Sequence, residues 1–252
     1  MNDTILVLSG LDPCGGAGIA ADIETLNRFG ITPLPIVTTL TVQNTQHVEF
    51  IQAVDCQLIE KQLNTLAEDI DINIIKIGLL SSVEQINTIA SWIDENHTVI
   101  LDPIIKASTT DKLLTQQVID ALKQVLLPKV NVLTPNVSEL ESLAPGLSER
   151  EAVASLPCEW VLLTTTDVSE QMIEHRLYHQ SELLERFTYH KLPGQYHGSG
   201  CTLSSAISAL IASKLDVNIA VKCALNYTYQ TLLTAKQIGK MQYHPNRTTP
   251  LI

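Results

Sequence analysis

The stretch LPGQYHGSGCTLSSAI (Leu192–Ile207) contains a Gly-Ser-Gly turn that runs directly into an amphipathic helical pattern. Gly198 and Gly200 allow the backbone to approach a ligand closely and to aim successive N–H groups at one point. The positive end of the helix dipole adds to the potential at that point. Such a turn can stabilise the charge of a transferring phosphoryl group, so Gly198, Ser199 and Gly200 are candidates for an anion hole.

Cys201 follows this turn, on the first turn of the predicted helix. A thiol at a helix N-terminus tends to have a lowered pKa, which predicts partial thiolate character for Cys201. The alternative is an ordinary glycine-rich helix start, with Ser199 as the cap and Cys201 packed in the core. Spacing alone leaves both interpretations open.

Short apolar runs alternate with helical patterns along the rest of the chain. This alternation predicts βαβ units, a mostly parallel sheet with helices on both faces, and therefore a three-layer α/β/α fold. Two segments within 175–192 predict an antiparallel hairpin at one sheet edge. Strands are predicted at 4–9, 35–40, 72–78, 98–102, 131–136 and 160–166, and helices near 19–26, 56–66, 83–93, 116–127, 137–143, 203–211 and 217–236. In open sheets of this kind, ligands bind at the carboxyl ends of the strands.

Length and composition limit the number of domains, the partners and the compartment that can be expected for this chain. The chain has 252 residues, 45% of them hydrophobic, and no repeat or linker, which favours one globular domain over residues 1–252. Its formal net charge of -11 argues against nucleic-acid or membrane-surface partners. The five scattered cysteines make a disulfide framework or a zinc site improbable, and a reducing cytoplasm is the expected compartment. No signal peptide or membrane-spanning segment is expected.

The segment GLDPCGGAGIAADIE (Gly10–Glu24) is a second glycine-rich connection between a strand and a helix. It lacks the GxxxxGK[ST] phosphate-binding pattern, but its bare backbone leaves room for a flat ring. Asp22 flanks the apolar stripe of the following helix, where packing does not require a carboxylate. The alternative is a tight connection that carries a solvated Asp22.

The segment TLTVQNTQHV (Thr39–Val48) places Gln43 just after a predicted strand. The amide of Gln43 could contact the amino group and the ring nitrogen of an aminopyrimidine together, because it offers one acceptor beside its donors. Without further context, a polar loop is the simpler interpretation.

Two carboxylates follow strands in LDPII (Leu101–Ile105) and TPNVSE (Thr134–Glu139). Asp102 and Glu139 are candidate Mg²⁺ ligands, directly or through water, because Mg²⁺ prefers oxygen and keeps several waters. Asn136 and Glu139 also have the spacing of a helix cap, a role compatible with metal binding.

Together these segments, with IKIGLL and YHGSGCTLSSAI, resemble the hydroxymethylpyrimidine/phosphomethylpyrimidine kinases of thiamine biosynthesis, in the ribokinase superfamily. The resemblance implies transfer of the ATP γ-phosphoryl to a pyrimidine hydroxymethyl group and then to the monophosphate, in a homodimer. By position, it implies pyrimidine contacts, nucleotide and Mg²⁺ ligands, an anion hole, and Cys201 in place of an Asp base. The residues implied are Gly10, Ala17, Asp22, Gln43 and Leu79 for the pyrimidine, Asp102, Asn136, Glu139 and Thr164 for the phosphates and Mg²⁺, and Gly198, Ser199 and Gly200 for the anion hole.

The chain departs from that family in two segments. TTTD (Thr164–Asp167) stands where KGGH is frequent, so a cation and two glycines are missing and an acid is present. KASTTDKLL (Lys106–Leu114) replaces a KSG-type loop, in which Lys106 is a possible compensating charge.

Two rival functions follow from these observations. A pyridoxal kinase would share the fold, although the amide of Gln43 favours the amino-imine edge of a pyrimidine. A binding protein that retained the pyrimidine pocket but lost turnover is suggested by TTTD. The anion turn and the Asn136–Glu139 segment argue against it, because they serve phosphoryl transfer.

Overall fold

A computed structural model describes residues 4–105 and 113–250 of the chain. Lys106, the possible compensating charge, lies outside these residues. The strands are β1 (Thr4–Leu11), β2 (Thr32–Gln43), β3 (Val48–Ala53), β4 (Ile74–Ile77), β5 (Thr98–Leu101), β6 (Val132–Leu133), β7 (Trp160–Asp167), β8 (Met172–His179), β9 (Glu182–His190), β10 (Lys236–Gln237) and β11 (Tyr243–His244). The helices are α1 (Gly18–Arg28), α2 (Cys56–Ala67), α3 (Val83–Trp92), α4 (Gln116–Ala121), α5 (Val137–Leu143), α6 (Glu149–Ala154), α7 (Ser199–Ala212) and α8 (Val217–Leu233).

Nine strands form the central sheet, in the order β3-β2-β1-β4-β5-β6-β7-β8-β9. The strands from β2 to β7 in this order pair in parallel. β3 pairs antiparallel with β2 at one edge, and the β8–β9 hairpin is antiparallel at the other. The mostly parallel sheet and the edge hairpin predicted from the sequence are confirmed.

Helices cover both faces of the sheet, because its central strands are apolar on both sides. In β1, Ile5 and Val7 pack in a core with α1, α7 and α8, whereas Leu6 and Leu8 pack in a second core with α2 to α6. The predicted three-layer α/β/α fold is therefore confirmed. Within the described ranges, no helix is both long and apolar enough to cross a membrane.

Some local predictions were wrong. Of the segment Thr39–Val48, interpreted as a polar loop, only residues 44–47 are a loop. The residues up to Gln43 belong to β2, and Val48 begins β3, which is stabilised by pairing with β2 and not by its own apolar pattern. The helix predicted over 116–127 ends at Ala121 and continues as a π-helix, Leu122–Leu126, and a 3-10 turn, Leu127–Lys129. The last helix ends at Leu233, before the predicted end at Lys236. α6 was missed because it has only six residues.

Candidate active site

A cavity of about 770 Å³ opens at the carboxyl ends of the parallel strands. It runs from Gln43 at the end of β2, past Asp102 after β5, to Thr164 in β7. β2 and β7 are five strand spacings apart, which is roughly 24 Å at the usual spacing between strands. The cavity is therefore long enough to hold two ligands side by side. The sequence-predicted residues in its wall are Gly10, Ala17, Leu79, Asn136, Glu139, Gly198, Ser199, Gly200 and Cys201, in addition to Gln43, Asp102 and Thr164.

The Gly-Ser-Gly turn lies in the middle of this wall. Gly198 is the residue before α7 and has a left-handed backbone, with φ 85°. A Cβ on Gly198 would lie 1.9 Å from the carbonyl oxygen of Gly16, so only glycine fits. The first N–H groups of α7 therefore face the cavity from a turn held against the Gly16 loop. Ser199 is the first helical residue and not the cap that the alternative interpretation required.

The lowered pKa predicted for Cys201 is wrong. The thiol is 4% exposed, and burial raises its pKa to about 12, although the positive charge of Lys76 opposes this. Because a low-dielectric environment disfavours the thiolate more than the helix dipole favours it, Cys201 is a neutral thiol in this structure.

Asp102 lies beside the anion turn. Its Oδ2 is 3.1 Å from where a Cβ on Gly200 would be, so the missing side chain of Gly200 lets the carboxylate approach α7. Burial raises the pKa of Asp102 to about 6, although the charge of Lys76 opposes the shift. A bound cation would favour the ionised form of such a carboxylate.

Asn136 and Glu139 form the predicted cap at the start of α5. Asn136 Oδ1 accepts from Glu139 N at 3.0 Å, and Glu139 Oε2 accepts from Asn136 N at 2.9 Å. Both side chains also line the cavity. The capping role thus orients Glu139 at the cavity wall and is compatible with the predicted metal role.

Asp22, a predicted pyrimidine contact, is not among the residues of the cavity wall. Asp22 is fully buried beneath the site, where its Oδ1 lies 2.8 Å from Lys76 Nζ and accepts from Ser205 Oγ at 2.7 Å. The alternative of a solvated Asp22 is wrong, because its carboxylate is buried against Lys76 of β4. Only the tertiary structure brings Lys76 and Asp22 together.

Asp12 and His197 are functional candidates that the motif analysis did not assign. Asp12 accepts from the backbone N–H groups of Cys14, Gly16 and Ala17 at 2.8–2.9 Å, and His197 Nε2 lies 3.1 Å from its Oδ2. Burial alone would raise the pKa of Asp12, but these hydrogen bonds outweigh burial and hold it well below its usual range. The sequence signal was an Asp-Pro pair separated from two glycines by a single residue, Cys14.

Arg247 is a third residue that the motifs did not reveal. It is 4% exposed and donates to the Gly16 carbonyl, to Thr202 Oγ1 at 2.9 Å and to Glu24 Oε2 at 3.0 Å. Arg247 therefore ties the C-terminal segment to both the Gly16 loop and α7.

The TTTD segment ends the cavity at β7. Thr165 has a positive φ of 58°, which is strained for a β-branched residue. Its N–H donates to His175 Nδ1 at 3.2 Å, and burial lowers the pKa of His175 to about 4, which keeps the imidazole a neutral acceptor. The acid that replaces a frequent His, Asp167, is paired with Lys191 at 2.9 Å. Its charge is therefore compensated within the sheet edge.

Thr165→Gly is expected to raise the free energy of unfolding by about 1 kcal/mol, since a left-handed backbone costs a non-glycine residue about this much. The N–H that contacts His175 is retained. Urea unfolding measures the change. Thr166→Gly, in the same strand but without a positive φ, is the matched control and should lose stability. A loss in both variants would show that Thr165 is not strained.

Comparisons with known proteins place this arrangement in a family. Residues 12–246 match the family model described as phosphomethylpyrimidine kinase. The chain is 32% identical over 217 residues to the hydroxymethylpyrimidine/phosphomethylpyrimidine kinase of Salmonella typhimurium, with 81% of each chain covered.

Solved structures share the fold. The pyridoxal kinase of Staphylococcus aureus in complex with ADP superposes with a TM-score of 0.87 at 21% identity, covering 97% of this chain and 93% of the other. The phosphomethylpyrimidine kinase of Clostridium difficile has a TM-score of 0.77 at 26% identity, covering 91% of this chain and 99% of the other. The matched family model spans nearly the whole chain, including the anion turn and the carboxylates around it. The chain belongs to the phosphomethylpyrimidine kinase family.

Proposed function

We propose that the protein transfers the γ-phosphoryl group of ATP to the hydroxymethyl group of 4-amino-5-hydroxymethyl-2-methylpyrimidine, and then phosphorylates the monophosphate to the diphosphate. The observation that carries the proposal is the order of groups along one cavity. Gln43 lies at one end, the anion turn and Asp102 lie in the middle, and Asn136, Glu139 and Thr164 lie at the other end.

Each part of the cavity suits one part of the reaction. Gln43, with Gly10, Ala17 and Leu79 at the same end, binds and orients the ring. The N–H groups at the start of α7 then face the transferring phosphoryl group and stabilise its charge. Cys201 remains a neutral thiol, so the reaction depends on positioning and electrostatics more than on a strong base. The pyridoxal kinase of Staphylococcus aureus, which shares this fold, was solved in complex with ADP, and this supports ATP as the phosphoryl donor.

Charge balance supports a role for Mg²⁺. Among the described residues of the cavity wall there are three carboxylates, Asp12, Asp102 and Glu139, and no Lys or Arg. A polyphosphate entering such a site requires cations, and the oxygen ligands of Asp102 and Glu139 fit Mg²⁺. When bound there, Mg²⁺ would neutralise charge on the phosphates.

An ATP-coupled assay with Mg²⁺ tests the function on 4-amino-5-hydroxymethyl-2-methylpyrimidine, its monophosphate and pyridoxal. Turnover of both pyrimidines, well above pyridoxal, is the expected result. Higher turnover of pyridoxal would favour the rival kinase. Saturable pyrimidine binding by calorimetry without turnover would favour a degenerate binding protein.

Gln43→Ala is expected to raise the KM for the pyrimidine by about tenfold, the usual effect of losing one neutral hydrogen-bonding group. Pyridoxal should be affected less, because it lacks the amino-imine edge. Steady-state kinetics on both substrates measure the difference. Equal losses on the two substrates would remove Gln43 from specificity.

An apolar patch supports the proposed homodimer. Leu11, Leu40, Val42 and Phe50 are 38–58% exposed, and the strand register places them on one face of β1, β2 and β3. The opposite face of β2 presents Thr41 to the cavity. A second copy would cover this patch. Sedimentation of the protein and of Phe50→Glu tests it, and a monomer in both would refute the dimer.

All five cysteines are free, which suits the reducing cytoplasm proposed for the protein. We also propose that residues 1–252 form one ribokinase-like domain.

A further inference from the structure

One ring nitrogen of His197 lies within hydrogen-bonding distance of two groups, on Asp12 and Gln43, that require opposite roles of it. His197 Nε2 lies 3.1 Å from Asp12 Oδ2 and 3.3 Å from Gln43 Nε2. A nitrogen of the imidazole ring either donates or accepts, so it cannot donate to Asp12 and also accept from the Gln43 amide.

Asp12 decides which role His197 Nε2 takes. The Asp12 carboxylate already accepts hydrogen bonds from three backbone N–H groups and is only 4% exposed, so it acts as an ionised acceptor. An imidazole lone pair 3.1 Å from this carboxylate would be repelled. His197 Nε2 therefore carries a proton and donates to Asp12, whether the ring is neutral or charged.

Gln43 must then present an acceptor to His197. With its amide nitrogen toward Nε2–H, two donors would face each other at 3.3 Å. Exchanging the two ends of the amide removes the conflict without moving any other atom. Gln43 Oε1 then lies against His197, and the NH₂ group lies on the other side of the same amide.

We infer that His197, held by Asp12, is a specificity-determining residue that fixes the amide orientation of Gln43, so that the site accepts an amino-imine pyrimidine edge and rejects the oxo edge. An unrestrained glutamine could turn its amide over to suit either edge. Here, turning it would bring its NH₂ group against His197 Nε2–H. His197 directly precedes the anion turn, and the C4 substituent of the ligand is next to the hydroxymethyl group that reacts there, so Gln43 Oε1 faces C4 and the NH₂ group faces N3. An amino group on C4 matches this arrangement, whereas the 4-oxo ligand, with a carbonyl and a ring N–H, faces unmatched groups.

The inference rests on the proposed pyrimidine kinase function. The test compares kcat/KM for 4-amino-5-hydroxymethyl-2-methylpyrimidine with kcat/KM for its 4-oxo analogue. We expect a preference of about 10⁴-fold for the amino compound in the unmodified protein, in the range of sites that hydrogen-bond a specific polar group. In His197→Phe, which keeps a ring but cannot donate, this preference should fall by about 100-fold, chiefly through faster turnover of the oxo compound.

Two further variants distinguish a role of His197 in orienting the Gln43 amide from a merely structural role. His197→Gln keeps an N–H donor near the Nε2 position, so it should retain most of the preference. His179→Phe is the matched control, because His179 also lies 3.2 Å from a carboxylate, Glu159, but outside the cavity wall. It should leave the preference unchanged. If His197→Phe fails to fold, His197→Asn serves as the second variant, since its shorter side chain cannot reach the amide.

The outcomes distinguish a failure of the inference from a failure of the proposed function. An unchanged preference in a folded His197→Phe, with normal turnover of the amino compound, overturns the inference and leaves the proposed function standing. Without turnover in the unmodified protein, the same ratio is measured as Kd by calorimetry. A ratio that depends on His197 then supports the inference while the kinase function fails, and an absence of binding by both ligands overturns both.

Discussion

Gly198→Ala is expected to lower kcat for pyrimidine phosphorylation by at least about 100-fold, the usual effect of displacing an anion-hole donor. Its Cβ would lie 1.9 Å from the carbonyl oxygen of Gly16, and the φ of 85° is itself unfavourable for alanine. The obstructing atom belongs to the backbone, so no side-chain rotation relieves the overlap. The turn must move away from the Gly16 loop, and the N–H groups at the start of α7 move with it.

Steady-state kinetics measure the loss of kcat in Gly198→Ala, and urea unfolding of the same variant measures its loss of stability. Gly30→Ala is the matched control, because Gly30 has a similar φ of 74° but no atom within 4 Å of its added Cβ. We expect the control to lose about 1–2 kcal/mol of stability from the left-handed backbone alone and to keep its kcat. Normal kcat in Gly198→Ala would refute the placement of the anion hole at this turn.

Lys76→Met is expected to lower the free energy of unfolding by about 3–5 kcal/mol, the range for removing one partner of a buried ion pair. Lys76 and Asp22 are both fully buried, and their charged atoms lie 2.8 Å apart. Burial would favour a neutral amine, but the carboxylates of Asp22 and Asp102 hold the pKa of Lys76 above its ordinary value. Methionine fills a similar volume and leaves Asp22 without its cation.

The double variant Lys76→Met/Asp22→Asn distinguishes two causes of the lost stability, the unpaired charge of Asp22 and the lost packing of the Lys76 side chain. It removes both charges and should recover at least about half of the loss, since a buried pair contributes little against neutral side chains of the same shape. Urea unfolding of the two single variants and the double variant gives the coupling energy. Additive losses in the double variant would show that the ion pair does not stabilise the fold.

The fold was largely predictable because its signals are local. The apolar runs in β1 and β4 to β7 bury both faces, and their alternation with helical patterns leaves few arrangements other than a parallel sheet between two helix layers. β3 escaped prediction because its six residues gain stability from pairing with β2 and are mostly exposed. The π-helix after α4 likewise has no sequence signal that distinguishes it from an ordinary helix.

The candidate site was predictable where a motif carries its own geometry. Gly198 allows the left-handed turn before α7, and Asn136 with Glu139 forms a cap, whatever surrounds them. The roles of Asp22 and Cys201 depended instead on neighbours distant in the chain. Asp22 meets Lys76 across 54 residues, and the burial of Cys201 outweighs the helix dipole.

The sequence by itself therefore determined the layered fold, the glycine turn and the family resemblance, because backbone conformation and apolar periodicity act over short stretches of chain. The tertiary structure decided which ionisable groups are paired, how the charge of each is stabilised, and that Asp12, His197 and Gln43 meet in one contact. Those properties depend on distances between residues far apart in the chain and on the loss of water around them, and neither is encoded by local spacing.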